Sequence, residues 1–153
     1  LWEEKRMKKW LKKKFKNERG LTLVELLAVI VILAIIAVIA FVMIGKVIEN
    51  SKQDAHIANA QQLIASAKLY DSQGGEFENN QVTDDKLRAE GLIDELINPW
   101  DSTAKYEGTV TKTSDSNGVK YTVTITGNKI TCDINNLDEK ELAKGRNEIC
   151  KSK

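Results

Sequence analysis

Several residue types are scarce in this chain of 153 residues, which has one proline, one histidine, two cysteines and nine glycines. So little proline and glycine excludes collagen-like and low-complexity disordered chains. Two cysteines without a neighbouring histidine fall short of the four ligands of a structural zinc site. The sequence has no glycine-rich phosphate loop and no set of catalytic side chains, and we expect His56 to be a partly exposed helix residue. We therefore predict no enzyme activity, no metal and no cofactor.

Charge is nearly balanced over the whole chain but is unevenly distributed. Residues 1–20 hold nine basic and three acidic residues, a net charge of +6, whereas residues 21–153 have a net charge of −5. The acidic part argues against nonspecific DNA binding, which needs cations that neutralise phosphates. The overall charge of +1 thus conceals two parts of opposite sign.

An uninterrupted apolar segment of 19 residues extends from Leu26 to Ile44. About 20 apolar residues in a helix cross a hydrocarbon core of ~30 Å. Buried core helices of soluble domains rarely contain apolar runs longer than ~14 residues. A secretory signal peptide would have a shorter apolar core and a small-residue cleavage site, which the sequence from Gly45 to Glu49 does not provide. We expect a retained membrane span, with the basic residues 1–20 in the cytoplasm and the remainder outside.

Glu25 directly precedes this segment, where an ionisable group is costly and is usually paired or functional. One interpretation places its carboxylate at the membrane interface, where it reaches headgroup water. The other gives it a cationic partner within an assembly.

Arg19 to Leu27, which read RGLTLVELL, and the apolar run after them resemble the class III signal of type IV prepilins and pseudopilins. The resemblance implies that a prepilin peptidase removes the basic leader by cutting between Gly20 and Leu21 on the cytoplasmic side. It also implies N-methylation of Leu21 and makes Glu25 the fifth mature residue. Leu21 replaces the more usual Phe, a departure that bears on methylation more than on cleavage.

The same resemblance implies a structural filament subunit. Its partners would be other pilins, a prepilin peptidase, and an assembly ATPase that acts through a membrane platform protein. Glu25 of one subunit could neutralise the Leu21 amine of its neighbour, which would offset the cost of burying both charges. No proline interrupts residues 21–71, so we expect any bending of the helix to centre on Gly45. The protein would be a single-pass membrane protein first and part of a cell-surface filament after assembly.

Met7 is a second candidate start of the chain. Residues 2–4, Trp-Glu-Glu, can be encoded by a sequence that contains the ribosome-binding element GGAGG. Residues 1–6 would then be untranslated upstream sequence, and the leader would run from Met7 to Gly20.

Apolar residues recur at three- and four-residue spacings through residues 46–70. We therefore predict one helix from Leu21 to Tyr70, apolar all round in its first half and amphipathic in its second. Gly74 and Gly75 follow as a signal for the end of the helix.

Thr83 is a candidate N-cap of a short helix that reaches about Ala89. Residues 92–97 are predicted as a second short piece, helical or extended. The stretch from Val82 to Asp101 also resembles, more loosely, the region that follows the long helix in many pilins.

Strands are predicted where apolar and polar residues alternate, over Lys105–Lys112 and Gly118–Thr126, with a third strand over Ile130–Ile134. The sequence from Asp115 to Gly118 is read as a hairpin turn and not as a calcium site, because Asn-Gly is the strongest short hairpin signal. The predicted fold is α+β, a long N-terminal helix packed on a small three-stranded antiparallel sheet, as in type IV pilins.

Cys132 and Cys150 lie in the part predicted to be outside the cytoplasm, where disulfides persist. A bond between them would tie the C-terminal segment to the last strand. Two free thiols are the alternative.

These observations predict a basic leader (1–20), a transmembrane and filament-core helix (21–45) and an extracytoplasmic pilin head (46–153). The leading hypothesis is a pilin or pseudopilin that assembles through its apolar helix. The alternatives are a monomeric single-span protein whose head binds a ligand or partner, and an enzyme anchored by its N-terminus.

Overall fold

The computed structural model describes the backbone of residues 2–151 and the side chains of residues 2–13 and 22–151. The chain divides into two units, residues 1–46 and residues 47–153. We call residues 47–153 the head unit. One helix, α1 (Trp2–Ser72), contributes to both units and includes the whole helix predicted from the sequence.

Helix α1 ends just before Gly74 and Gly75, as the glycine signal predicts. Gly74 adopts a left-handed φ of 84°. Its N–H donates to the Asp71 carbonyl at 3.0 Å, and the Gly75 N–H donates to the Tyr70 carbonyl at 2.9 Å. These two bonds form a Schellman motif, which satisfies carbonyls that the helix leaves unpaired.

Four antiparallel strands form one sheet in the order β1-β2-β3-β4. They are β1 (Gln81–Thr83), β2 (Tyr106–Asp115), β3 (Gly118–Gly127) and β4 (Ile134–Asp138). Strands β2 and β3 pair along their whole length, from Tyr106 opposite Gly127 to Asp115 opposite Gly118. The α+β class and the β2–β3 hairpin are as predicted.

Three short helices complete the head unit: α2 (Asp84–Ala89), α3 (Glu139–Leu142) and α4 (Arg146–Ile149). Helix α2 is the short helix predicted from the sequence, and the Thr83 side chain caps it by accepting from the Lys86 N–H. Helix α3 has a full capping box, since Asp138 and Glu141 each accept from the other's backbone N–H.

The predicted third strand was placed too early. Residues 130–133 leave the ladder, and β4 begins at Ile134. Long-range contacts explain the shift, because the Thr131 hydroxyl donates to the Glu49 carboxylate and Cys132 forms a disulfide.

The sequence does not predict the fourth strand, β1, because a strand of three residues shows almost no alternation of apolar and polar side chains. Residues 92–97 are irregular and not helical or stranded, and Leu92 accepts there from the Ser66 hydroxyl.

One hydrophobic core joins the second half of α1 to the inner face of the sheet. Gly108 on β2 shows how closely they pack, since a Cβ built there would lie 2.2 Å from Cδ1 of Leu63. Any larger residue at this position would require the Leu63 side chain to shift. Apolar residues of α1 with at most 8% exposure are Ile57, Ala60, Leu63, Ile64, Ala67 and Tyr70.

The expectation that His56 is partly exposed is wrong, because its side chain is completely buried. It lies on the face of α1 that also carries Ala60 and Leu63. Nδ1 is 2.6 Å from the Tyr106 hydroxyl, and the ring meets Trp100 edge-on with centroids 5.2 Å apart. Nε2 has no hydrogen bond of ordinary geometry to any described residue.

Burial lowers the pKa of His56 from 6.5 to about 4, although the backbone of Cys132 and the charge of Asp133 favour protonation. The fold therefore holds a neutral imidazole. A group whose pKa is lower in the folded state contributes stability above the unfolded pKa and loses it as pH falls.

The head unit should consequently lose up to roughly 3 kcal/mol of unfolding free energy between pH 6.5 and pH 4 through this group. Urea unfolding followed by near-ultraviolet circular dichroism at several pH values measures the loss. The variant His56→Gln is the control, since it should be less stable at neutral pH but should show a flatter pH dependence. An unchanged pH dependence in His56→Gln would contradict the assignment.

Cys132 and Cys150 are joined in a disulfide, with their Cα atoms 4.7 Å apart. Cys132 is 1% exposed and adjoins the core. The bond fastens the residue after α4 to the segment before β4.

Removing this bond should cost about 3 kcal/mol of unfolding free energy, the chain-entropy value for a ~15-residue loop. The double variant Cys132→Ala, Cys150→Ala and the reduced wild type should show the same loss in urea unfolding. The double variant itself should not respond to reductant. Equal midpoints for oxidised and reduced wild type would show that the bond contributes nothing.

Candidate assembly segment

The apolar segment of α1 has no cover from the described residues of its own unit, residues 1–46. Seventeen large apolar side chains between Leu23 and Ile44 are at least half exposed, from 50% at Val31 to 81% at Phe41. Covering such side chains is worth about 1.5–3 kcal/mol each, so the set represents at least ~25 kcal/mol. That exceeds the net stability of a typical domain. Lipid or other protein therefore has to surround this segment.

A helix is the conformation that such surroundings require. Without water, backbone N–H and carbonyl groups must pair within the segment, and an uninterrupted helix achieves this. The residues from Thr22 onward form the one helix of the described chain that is long and apolar enough to cross a membrane. The helix also continues through Gly45, where a built Cβ would meet no atom within 4 Å.

Glu25 is the only charged residue between Thr22 and Gly45. It is exposed, one turn after the predicted cleavage site, and it forms no ion pair with a described side chain. A cation for this carboxylate would have to come from the N-terminal side or from another molecule. The predicted cleavage and methylation site, Gly20 and Leu21, lies outside the residues whose side chains are described.

Glu49 holds the first turns of α1 in the head unit to two loops, a role that the sequence analysis missed. Its carboxylate accepts from Trp100 Nε1 at 3.1 Å and from the Thr131 hydroxyl at 2.5 Å. The Thr131 bond is the main reason that the pKa of Glu49 lies below its ordinary value. The looser resemblance around Trp100 was the only sequence signal for this contact.

Ion pairs connect α1 with more distant parts of the head unit. Asp54 pairs with Arg146 of α4 at 2.6 Å, and Asp71 pairs with Lys112 of β2 at 2.6 Å. Tyr121 of β3 also donates to Asp71, and the hydrogen bonds from Lys112 and, second, from Tyr121 lower the pKa of that carboxyl. These contacts join α1 to α4 and to the sheet.

The residues from Asp115 to Gly118 form the turn between β2 and β3, as predicted. The Asn117 N–H donates to the Asp115 carboxylate at 2.7 Å, so this carboxylate stabilises the turn. Within the described residues, no group of three or more His, Cys, Asp or Glu side chains is arranged to hold a metal ion.

The comparison with protein families finds a match in the N-terminal part of the chain. The family model described as the prokaryotic N-terminal methylation motif matches residues 15–41. Neither a curated protein nor a solved structure matches the chain. The matched residues include Glu25 and most of the exposed apolar helix, and they point to a structural subunit of pilin type. This chain therefore carries a class III, type IV prepilin-type N-terminal motif.

Proposed function

We propose that the chain is a structural subunit, a pilin or pseudopilin, of a type IV pilus-like filament. The motif supports a type IV pilin-like precursor that is processed by a prepilin peptidase. The observation that carries the proposal is the position of this motif on the part of α1 whose described large apolar side chains, between Leu23 and Ile44, are at least half exposed. Such a helix can exchange lipid contacts for contacts with identical helices at little cost in apolar burial.

The precursor first enters the membrane as a single-pass protein. Its basic residues 1–20 stay in the cytoplasm, and the acidic head unit lies outside, in agreement with the positive-inside rule. The disulfide of the head unit suits an oxidising compartment. A prepilin peptidase then hydrolyses the Gly20–Leu21 bond.

Hydrolysis creates a new amine at Leu21, and an α-amino group is mostly protonated at neutral pH. N-methylation keeps this amine basic, so the positive charge persists. In a filament core the charge would be separated from water, where an unpaired buried ion costs about 3–5 kcal/mol.

Glu25 supplies the opposite charge. It is the only acidic or basic side chain on the apolar part of the helix, and it forms no ion pair with a described residue of its own chain. We assign it to the Leu21 amine of a neighbouring subunit, so that both charges are buried as a pair. Head-to-tail contacts of this kind generate an open helical assembly.

The partners that follow are further copies of this chain and other pilins, a prepilin peptidase, and an assembly ATPase that acts through a membrane platform protein. The proposed role is structural and not enzymatic. The competing hypothesis is a monomeric single-span protein that uses its head unit to bind a partner, and the next two experiments separate the two.

Mass spectrometry of the chain from cells with an active prepilin peptidase should show an N-terminus at Leu21 that carries a methyl group. Cells without the peptidase should retain the basic leader. A chain that keeps its leader while the peptidase processes other prepilins would contradict the proposal and favour the single-span alternative.

Replacement of the acidic side chain, Glu25→Val, should leave cleavage intact but lower filament yield at least about tenfold, since the neighbouring amine loses its partner. Glu25→Asp is the matched control, because it keeps the charge and should retain more assembly. Sheared filaments quantified by immunoblot, with cleavage measured in the same cells, provide the readout. Normal filament yield from Glu25→Val would rule out the pairing role.

A further inference from the structure

Residues 7–13 of α1 carry a feature that cleavage and assembly do not use. Met7, Trp10 and Leu11 have exposed fractions of 61%, 61% and 40%. At 3.6 residues per turn, their positions fall within an arc of about 100° on one side of the helix. An apolar stripe of this width is typical of a helix that lies against an apolar surface.

Lysines flank this stripe and cover the opposite side of the same turns. They are all exposed, and the structure pairs one of them, Lys8, with Glu4 at 3.0 Å. The others form no ion pair with a described acidic side chain. The four basic residues are Lys8, Lys9, Lys12 and Lys13.

A short helix with an apolar edge, a tryptophan and many lysines has the composition of helices that lie in the membrane interface. Tryptophan favours the headgroup level, where its ring is partly apolar and its N–H stays hydrated. Each lysine near an acidic lipid surface favours the bound state roughly fivefold. Charge complementarity therefore identifies acidic phospholipids as the partner.

We propose that residues 7–13 are an interfacial helix that binds acidic phospholipid headgroups on the cytoplasmic leaflet, with Trp10 and Leu11 below the headgroups. The proposal uses the topology of the proposed function but requires neither cleavage nor filament assembly. It assigns the leader a lipid contact of its own, in addition to the span that follows it.

This arrangement has a consequence for the backbone of α1. If the helix stayed straight, Trp10 would lie about 18 Å along the axis from Thr22, outside the hydrocarbon region. Residues 7–13 can lie flat only if α1 bends between them and the span, and Gly20 is the residue in between that most weakens a helix. The bend would unwind the helix around the Gly20–Leu21 peptide bond, which is predicted to be cut.

Fluorescence of the full chain in lipid vesicles tests the proposal. The variant Trp2→Phe, Trp100→Phe leaves Trp10 as the only tryptophan. The vesicles contain phosphatidylcholine alone or with an equal amount of phosphatidylglycerol, and in both cases part of the lipid is brominated on its acyl chains. Bromine quenches only a ring at membrane depth, whichever way the protein is inserted.

Trp10 should be quenched in vesicles with phosphatidylglycerol and much less in phosphatidylcholine alone. Adding Lys12→Gln and Lys13→Gln should weaken the binding of residues 7–13 to the acidic surface about 25-fold, because each lysine contributes roughly fivefold. The quenching of Trp10 should fall accordingly. Lys140→Gln with Lys144→Gln removes the same charge from the head unit and should leave quenching unchanged.

Absence of Trp10 quenching in phosphatidylglycerol vesicles would overturn the proposal and would favour a protein partner for the leader. Equal quenching in both lipids would overturn the assignment to acidic headgroups. Either result would leave the proposed cleavage and filament function untouched, since neither is measured here.

Discussion

The apolar segment of α1 from Leu23 to Ile44 is exposed, and the need to cover it determines the other features of the chain. Its side chains between Leu23 and Ile44 are exposed on every side of the helix, and their burial is worth more than the net stability of a typical domain. In the proposed function, this segment passes from one apolar environment to another without contact with water. A membrane before assembly and a bundle of identical helices afterwards satisfy this requirement, and the unbroken helix keeps the backbone paired in both.

The head unit has its own hydrophobic core, which is modest in size. It uses the amphipathic half of α1 as one side of that core and the inner face of the sheet as the other. Glu49, His56 and the Cys132–Cys150 disulfide all act near the loop before β4. Each connects segments that are far apart in sequence, so they stabilise this loop where the β-ladder does not.

Local patterns in the sequence were enough to predict much of the fold. The apolar run, the glycines after α1, the Thr83 cap and the alternation in β2 and β3 are encoded by near neighbours. The misplaced β4 and the burial of His56 share one cause, since both depend on contacts with residues that are 50 or more positions away. The spacing of His56 to Ala60 and Leu63 could have indicated its inward orientation. The role of Glu25 depends on other molecules, which no single chain can show.

We propose that copies of this chain cover one another's apolar helices and pair Glu25 with a neighbouring N-terminal amine. Electron cryomicroscopy of filaments sheared from producing cells tests it most directly. We expect residues 21–45 to pack along the filament axis, with each Glu25 carboxylate at ion-pair distance from the Leu21 amine of another subunit. A reconstruction in which this segment is absent from the core, or in which Glu25 faces solvent, would rule out this pairing.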